Sequence, residues 1–365
     1  MRILIVDDSV VFRSQIKAAV ESSMKVTYLA TAANGKIALQ KLEAEGFDVM
    51  TLDMEMPEMN GLETLREIKN LKIPVKTIVF AAQNARAAGT ALEALSLGAL
   101  DVVAKPDGGA GSLDEALIQV KAQLMPILKM IEGGRVTSEA LAAVTTVRTR
   151  IEESAKLMFP GITAGAYSKT KVETFRPRVI VIGSSTGGPN ALEILFANIR
   201  PPVHVPILLV QHMPPIFTAS LAARIASITG LPAAEGKNGE VIKPGHIYVA
   251  PGDNHMGLFL SKLGISIKLS QAPKRCHVRP AVDVLFEDVS SIYEKTVGAM
   301  ILTGMGEDGM LGCRAIKEKG GGVMIQDKET CIVWGMPGAV HASGAYDKMG
   351  PLLECGRILQ EWTKE

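Results

Sequence analysis

Three aspartates and one lysine in the first third of the chain stand where short apolar runs stop. Asp7 and Asp8 follow Arg2–Val6, Asp53 follows Val49–Leu52, and Lys105, with Pro106 after it, follows Val102–Ala104. Carboxylates gathered in one place repel, so at neutral pH they share protons or take a hard divalent cation, and oxygen ligands of this kind suit Mg²⁺. Such a cation would neutralise an incoming phosphoryl group. Asp53 would then be the nucleophile that forms an acyl phosphate, with Lys105 pairing to the phosphoryl oxygens. A single carboxylate after a strand is usually a turn or cap residue. Three acids and a Lys-Pro, each at a strand end, are much harder to explain that way.

A second group of residues carries different chemistry. The run Val179-Ile-Val-Ile-Gly183-Ser184-Ser185-Thr186-Gly187-Gly188-Pro189 is an apolar strand followed by a glycine-rich turn. It fits G-x-S-x-G with Ser185 at its centre, where small neighbours let a tight turn lift the hydroxyl above the sheet. A plain turn has the same look, whereas a P-loop would end in Gly-Lys-Ser/Thr and a dinucleotide loop would read G-x-G-x-x-G, and neither is present. A serine nucleophile needs a base. Ile207-Leu-Leu-Val-Gln211-His212-Met213-Pro214 puts a histidine just past the next strand, on the same sheet edge as Ser185. Of the other five histidines, His204 precedes its strand, His246 opens one, His255 and His277 read as loop residues, and His341 has no strand before it. A third strand, expected at Ala299–Thr303, leads into Gly304-Met305-Gly306-Glu307-Asp308-Gly309, whose Asp308 carboxylate would fix the imidazole tautomer. Glu307 is a rival whose side chain would point away if Asp308 faces the site. The chain order Ser, His, Asp differs from the Ser, Asp, His order of α/β-hydrolases, so a lipase-like fold is disfavoured.

The elements that must hold these residues alternate. In the first 131 residues, strands are expected at Ile3–Val6, Val26–Ala30, Val49–Leu52, Thr77–Phe80 and Val102–Ala104. Helices are expected up to Ser22 and over Gly35–Ala44, Gly61–Leu71, Ala85–Leu97 and Leu113–Ile131. Five βα units predict a doubly wound parallel sheet. Residues 132–176 change character and hold Ala140, Val144, Val147, Ile151 and Met158 at near-heptad spacing, which predicts a linker with one helix. It would pack on its own domain or form a short coiled-coil contact. From 177 to 365 the alternation resumes, with strands expected at Val179–Ile182, Ile207–Gln211, His246–Ala250, Ile265–Leu269 and Ala299–Thr303. That is a second doubly wound α/β domain.

Composition narrows the function classes. Lys and Arg total 39 against 38 Asp and Glu, so no global field recruits nucleic acid or an anionic membrane. The four cysteines, Cys276, Cys313, Cys331 and Cys355, form no C-x-x-C pair and read as reduced thiols of a cytoplasmic protein. Nothing approaches the roughly 20 apolar residues of a membrane span.

Val6-Asp7-Asp8-Ser9, Leu52-Asp53-Met54-Glu55-Met56-Pro57 and Ala104-Lys105-Pro106 resemble the receiver domain of two-component response regulators. The resemblance implies that Asp53 is phosphorylated by a histidine kinase, and that Asp8, Asp53 and the main-chain carbonyl of Glu55 hold Mg²⁺, with Asp7 in the same acidic pocket. This chain departs from the pattern at Ala81, where receivers carry a Ser or Thr, and at Val102, where they often carry an aromatic. From 178 to 360 the chain resembles the catalytic domain of the chemotaxis protein-glutamate methylesterases. The resemblance rests on Gly183–Gly188, Gln211–Pro215, Val249–Asp253, Arg279–Phe286, Leu302–Gly309 and Gly335–Pro337. It implies Ser185 as nucleophile, His212 as base, Asp308 as its partner, and an oxyanion site near Thr186 and Met305. It also implies a substrate, the γ-glutamyl methyl ester of methyl-accepting chemotaxis receptors, and some family members deamidate receptor glutamines as well. Cys276-His277-Val278-Arg279 departs from the family's usual basic stretch, and the linker is longer than the family norm. A docking module without turnover would not need an intact triad. An esterase for small diffusible esters would want an aromatic-rich pocket, and aromatics are 4% of the chain.

Overall fold

Why five βα units make one sheet is visible in the burial of β1 (Arg2–Val6) and β3 (Val49–Asp53), which are apolar on both faces and buried along nearly their whole length. The computed structural model describes residues 1–106, 113–134 and 174–365. The expected linker helix, with its stripe from Ala140 to Met158, lies outside the described residues. The chain divides into two units, described separately below.

In the N-terminal unit β2 (Tyr28–Ala32), β4 (Lys76–Ala81) and β5 (Asp101–Ala104) complete a parallel sheet of order β2-β1-β3-β4-β5. The helices are α1 (Val10–Glu21), α2 (Gly35–Ala44), α3 (Gly61–Asn70), α4 (Ala85–Leu97) and α5 (Leu113–Glu132). Three of them start on an asparagine whose side chain accepts the N3 amide: Asn34 for α2, Asn60 for α3 and Asn84 for α4. Each such cap contributes about 1 kcal/mol and fixes where the helix begins. Strand β2 comes two residues later than expected. It is an edge strand with one buried face, and its register, Arg2 opposite Tyr28, is set by β1.

The C-terminal unit carries a seven-stranded parallel sheet of order β14-β13-β12-β6-β7-β9-β8. Its strands are β6 (Val179–Ser184), β7 (Ile207–Gln211), β8 (Ala233–Glu235), β9 (Ile247–Val249), β12 (Val297–Ile301), β13 (Gly322–Gln326) and β14 (Lys348–Gly350). The helices are α6 (Gly188–Phe196), α7 (Phe217–Thr229), α8 (Val282–Tyr293), α9 (Met310–Glu318), α10 (Met336–Ser343) and α11 (Leu352–Trp362). Strands β8, β13 and β14 were not expected. The segment around Ile265–Leu269 does not join this sheet; β11 (Gly264–Ser270) pairs antiparallel with β10 (His255–Ser261) as a hairpin. Its alternation of Ile265, Ile267 and Leu269 with polar residues suits one buried face, whereas a central parallel strand is apolar on both. His255, expected on a loop, opens β10 and is buried, with Nε2 on the Pro273 carbonyl (3.1 Å) and Nδ1 accepting the Ala281 amide (3.2 Å). Both ring nitrogens are used structurally.

Candidate functional site

At the carboxyl edge of the first sheet, Asp7, Asp8 and Asp53 bring carboxylate oxygens within 4.8 Å of one another. Lys105 Nζ lies 2.7 Å from Asp53 Oδ2 and 2.9 Å from Asp7 Oδ2. Burial pushes the Asp53 carboxyl up to about 6; Lys105 pulls it down and Asp7 adds to the rise. Burial opposes charge on Lys105 too, but its pairs with Asp53 and Asp7 outweigh that and hold the ammonium above its usual range. Three carboxylates against one ammonium leave an excess of negative charge, and the donor set is all oxygen, which fits a hard divalent cation. Asp8, Asp53, Glu55 and Lys105 line one cavity of ≈ 270 Å³ together with Met54, Ala82 and Ala87. Ala81 ends β4 beside Ala104 of β5, and Val102 pairs with Val79 two residues earlier, so this wall offers no side-chain hydroxyl at Ala81 or Ala82. Phe12 of α1 stands edge-on to Phe80 and presents its face to Lys105 Nζ at 5.0 Å, bracing the lysine from the other side.

In the second sheet, β6 and β7 are neighbours and Ser184 pairs with Gln211. Ser185 and His212 are each one residue past that pair, on strands about 4.8 Å apart, so their side chains start from adjacent backbone. The His212 amide donates to the Ser184 carbonyl (3.1 Å). His212 Nε2 lies 2.8 Å from Asp308 Oδ2. With Nε2 carrying the proton toward the carboxylate, Nδ1 is the ring nitrogen left with a lone pair. Asp308 is buried and also accepts the amides of Val282 (2.6 Å) and Asp283 (3.0 Å). Burial alone would raise its pKa; the bond to and charge on His212, with the two amides, outweigh it and hold the carboxyl below the usual range. Glu307 is exposed, as expected for the residue next to an inward-facing Asp308.

The turn around Ser185 is set by close approach. Gly187 has φ 77°, where an L side chain would be strained. A Cβ on Gly304 would sit 2.8 Å from Ser185 Cβ, so the loop after β12 can lie against the serine only because residue 304 is glycine. Thr186 is buried and its carbonyl accepts Thr303 Oγ1 (3.0 Å); Met305, half-buried, follows Gly304 in the same loop.

Three residues with a part in this geometry were not singled out from sequence. Gln211, buried at the end of β7, accepts the Ser184 hydroxyl (2.7 Å) and donates to the carbonyls of Ser185 (2.9 Å) and His212 (3.2 Å). Gln326, buried at the end of β13, accepts the Thr303 amide (2.8 Å) and donates to the Thr330 carbonyl (2.8 Å). The signal is the same in both: an otherwise apolar strand closed by a glutamine, which is costly to bury unless it is bonded. Asp283 is the third, and nothing in Val282-Asp283-Val284 separates it from an ordinary first-turn acid.

The CheB methylesterase family model matches residues 180–359 and the response regulator receiver domain model matches residues 3–116. A protein-glutamate methylesterase/protein-glutamine glutaminase of Nocardioides sp. is 39% identical over 100% of this chain and 96% of its own length. One of Trichodesmium erythraeum is 38% identical, covering 96% of each chain. Among solved structures, the CheB methylesterase catalytic domain of Thermotoga maritima is 43% identical and covers 51% of this chain and 98% of its own, with a TM-score of 0.49. With full-length identity at that level and both domain models matched in order, the chain belongs to the protein-glutamate methylesterase/protein-glutamine glutaminase family, whose members join a receiver to a CheB catalytic domain.

Proposed function

We propose that this chain is a cytoplasmic, phosphorylation-regulated protein-glutamate methylesterase acting on methylated chemoreceptors. The observation that carries the reading is the His212–Asp308 pair, held at one sheet edge beside Ser185 in a chain with full-length family identity. Ser185 Oγ attacks the γ-glutamyl ester carbonyl while His212 Nδ1 takes its proton, and Asp308 stabilises the imidazolium. Backbone amides near Thr186 and in the loop after Gly304, including that of Met305, would stabilise the developing oxyanion, the Gly304 amide itself being taken by the Val333 carbonyl (3.2 Å); one such donor is worth about 3 kcal/mol. The proton returns to the leaving methoxide, methanol departs, and water activated by His212 releases the glutamate. A γ-carboxamide enters the same sequence with ammonia leaving, so receptor glutamine is a second substrate.

In the receiver, Asp53 is the acceptor for a phosphoryl group from a histidine kinase, and Lys105 pairs with the phosphoryl oxygens. Asp8, Asp53 and the Glu55 carbonyl would hold Mg²⁺, which supplies positive charge opposite the incoming phosphoryl group; Asp7 anchors Lys105. Among the described residues no helix is long and apolar enough to cross a membrane.

The test is methanol release from methylated receptor membranes by the wild type and Ser185→Ala, each with and without acetyl phosphate. The expected result is release that requires Ser185 and rises with acetyl phosphate. Release indifferent to Ser185→Ala would sink the triad.

A further inference from the structure

The loop that carries Asp308 is closed onto a neighbouring helix by a reciprocal pair of carboxylate caps. Asp308 stands just before α9, yet its oxygens accept the first two amides of α8, those of Val282 and Asp283. Asp283 stands on α8, yet its Oδ1 accepts the amides of Gly309 (3.0 Å) and Gly312 (2.7 Å), the N-cap and third residue of α9. Each acid therefore caps the helix that bears or follows the other. Carboxylates at helix N-termini are favoured by the amide donors and by the dipole.

The surroundings of Asp283 suit this task. It is 1% exposed, so its rotamer is set by the protein around it, and burial pushes its carboxyl up to about 6. Arg275 Nε lies 3.7 Å from Asp283 Oδ2, and the same guanidinium is held by two 2.6 Å bonds to Glu287, one turn further along α8. Helices α8 and α9 meet at Gly312, where a Cβ would fall 2.4 Å from Phe286 Cβ. Asp308 immediately precedes Gly309, so the bond from the Gly309 amide to Asp283 acts on the peptide next to the residue that orients His212.

We propose that Asp283 is a positioning residue for the hydrolysis: by tying the first turn of α9 to α8, it locks the rotamer of Asp308 and, through Asp308, the ring of His212. The inference rests on the reading of Ser185, His212 and Asp308 as the triad. Catalytic groups lose orders of magnitude in rate when displaced by about 1 Å, so a loosened Asp308 lowers kcat without changing how the receptor docks.

The experiment uses the full chain and methylated receptor membranes, with receptor concentration varied to separate kcat from KM. Asp283→Ala, which removes the cap, is expected to lower kcat by about tenfold or more with KM within about twofold. Asp283→Asn keeps an acceptor oxygen for Gly309 and Gly312 and is expected to retain kcat within about threefold. The downfield proton resonance of the His212 Nε2–H is expected to persist in Asp283→Asn and to shift or vanish in Asp283→Ala. A folded Asp283→Ala with wild-type kcat, or Asp283→Asn as impaired as Asp283→Ala, would overturn the proposal. Should Asp283→Ala fail to fold, Gly312→Ala, whose Cβ would press on Phe286 at 2.4 Å and lie 3.3 Å from Asp283 Oδ1 and so disturb the cap while keeping both acids, decides the matter. Lowered kcat with a shifted resonance supports the lock, and no change in either overturns it. Ser185→Ala is run beside them. If it abolishes release while Asp283→Ala does not, only this inference falls; if it leaves release intact, the triad reading falls and takes this inference with it.

Discussion

The receiver and catalytic halves both gather their chemistry at the carboxyl edge of a parallel sheet, and they handle buried negative charge in opposite ways. Around Asp53, three carboxylates face one ammonium across a cavity of ≈ 270 Å³, and burial raises the acid to about 6. Around Asp308, one imidazole and two amides converge on the carboxylate and its pKa falls, although the buried Asp283 carboxylate lies within 4.8 Å. In the proposed function, a cation from outside would complete the charge balance of the first site. The second is complete within the chain. The two sheet edges differ in whether the N–H donors around the key carboxylate outweigh its burial: they do at Asp308 and do not at Asp53.

The largest way to break that contrast is Asp308→Asn, which keeps the shape but turns an amide toward His212 and favours the wrong tautomer. We expect kcat for methanol release to fall by roughly 10³ to 10⁴ with KM changed only a few-fold, by analogy with the same change in serine-protease triads. A loss under about tenfold would mean that the completeness of the second site is unimportant. Next comes Gln211→Ala, which leaves the Ser184 hydroxyl and the His212 carbonyl without this partner, while the Ser185 carbonyl keeps only the Gly188 amide (2.7 Å). Each buried group so orphaned costs about 1–3 kcal/mol, and the catalytic half should melt earlier by calorimetry.

A smaller effect sharpens the receiver side. The folded Asp53 keeps a proton over the window from 3.8 to about 6 in which the unfolded chain gives it up. Stability of the cation-free receiver therefore declines as pH rises through that window and then stays level. Mg²⁺ competes with this proton, so its affinity, measured by titration calorimetry, should be steady near neutral pH and weaken by about tenfold per unit below 6. Affinity independent of pH would remove Asp53 from the cation site. The smallest expected change is Arg66→Ala. Its pair with Glu93 is half-exposed, and its loss should shift stability by less than about 1 kcal/mol, in contrast to the buried Lys105 pairs.

Helices α2 and α4 were readable to the residue because their start signals are local: Asn34 and Asn84 cap the helix that follows, whatever the rest of the fold does. Strand β12 was misplaced by two residues. The apolar run continues through Leu302 and Thr303, but the Thr303 amide turns to the Gln326 side chain, so the strand ends at Ile301. That bond joins residues 23 apart, and no local pattern announces it. Strands β8, β13 and β14 went unexpected for a related reason: three to five residues beside glycines or at a sheet edge carry little periodicity.

The sequence by itself determined the alternating βα order, the placing of Asp7, Asp8, Asp53, Lys105, Ser185 and His212 beside strand ends, and the family. These are short-range patterns, and in a parallel sheet every strand end points to one edge, so the chemistry had to collect there. Only the tertiary structure decided that His212 meets Asp308 through Nε2, that two strand-end glutamines brace the loops, and that Asp283 and Asp308 cap each other's helices. Those choices depend on side-chain rotamers and on amides brought together from positions 23 or more residues apart in the chain, which local propensity does not encode.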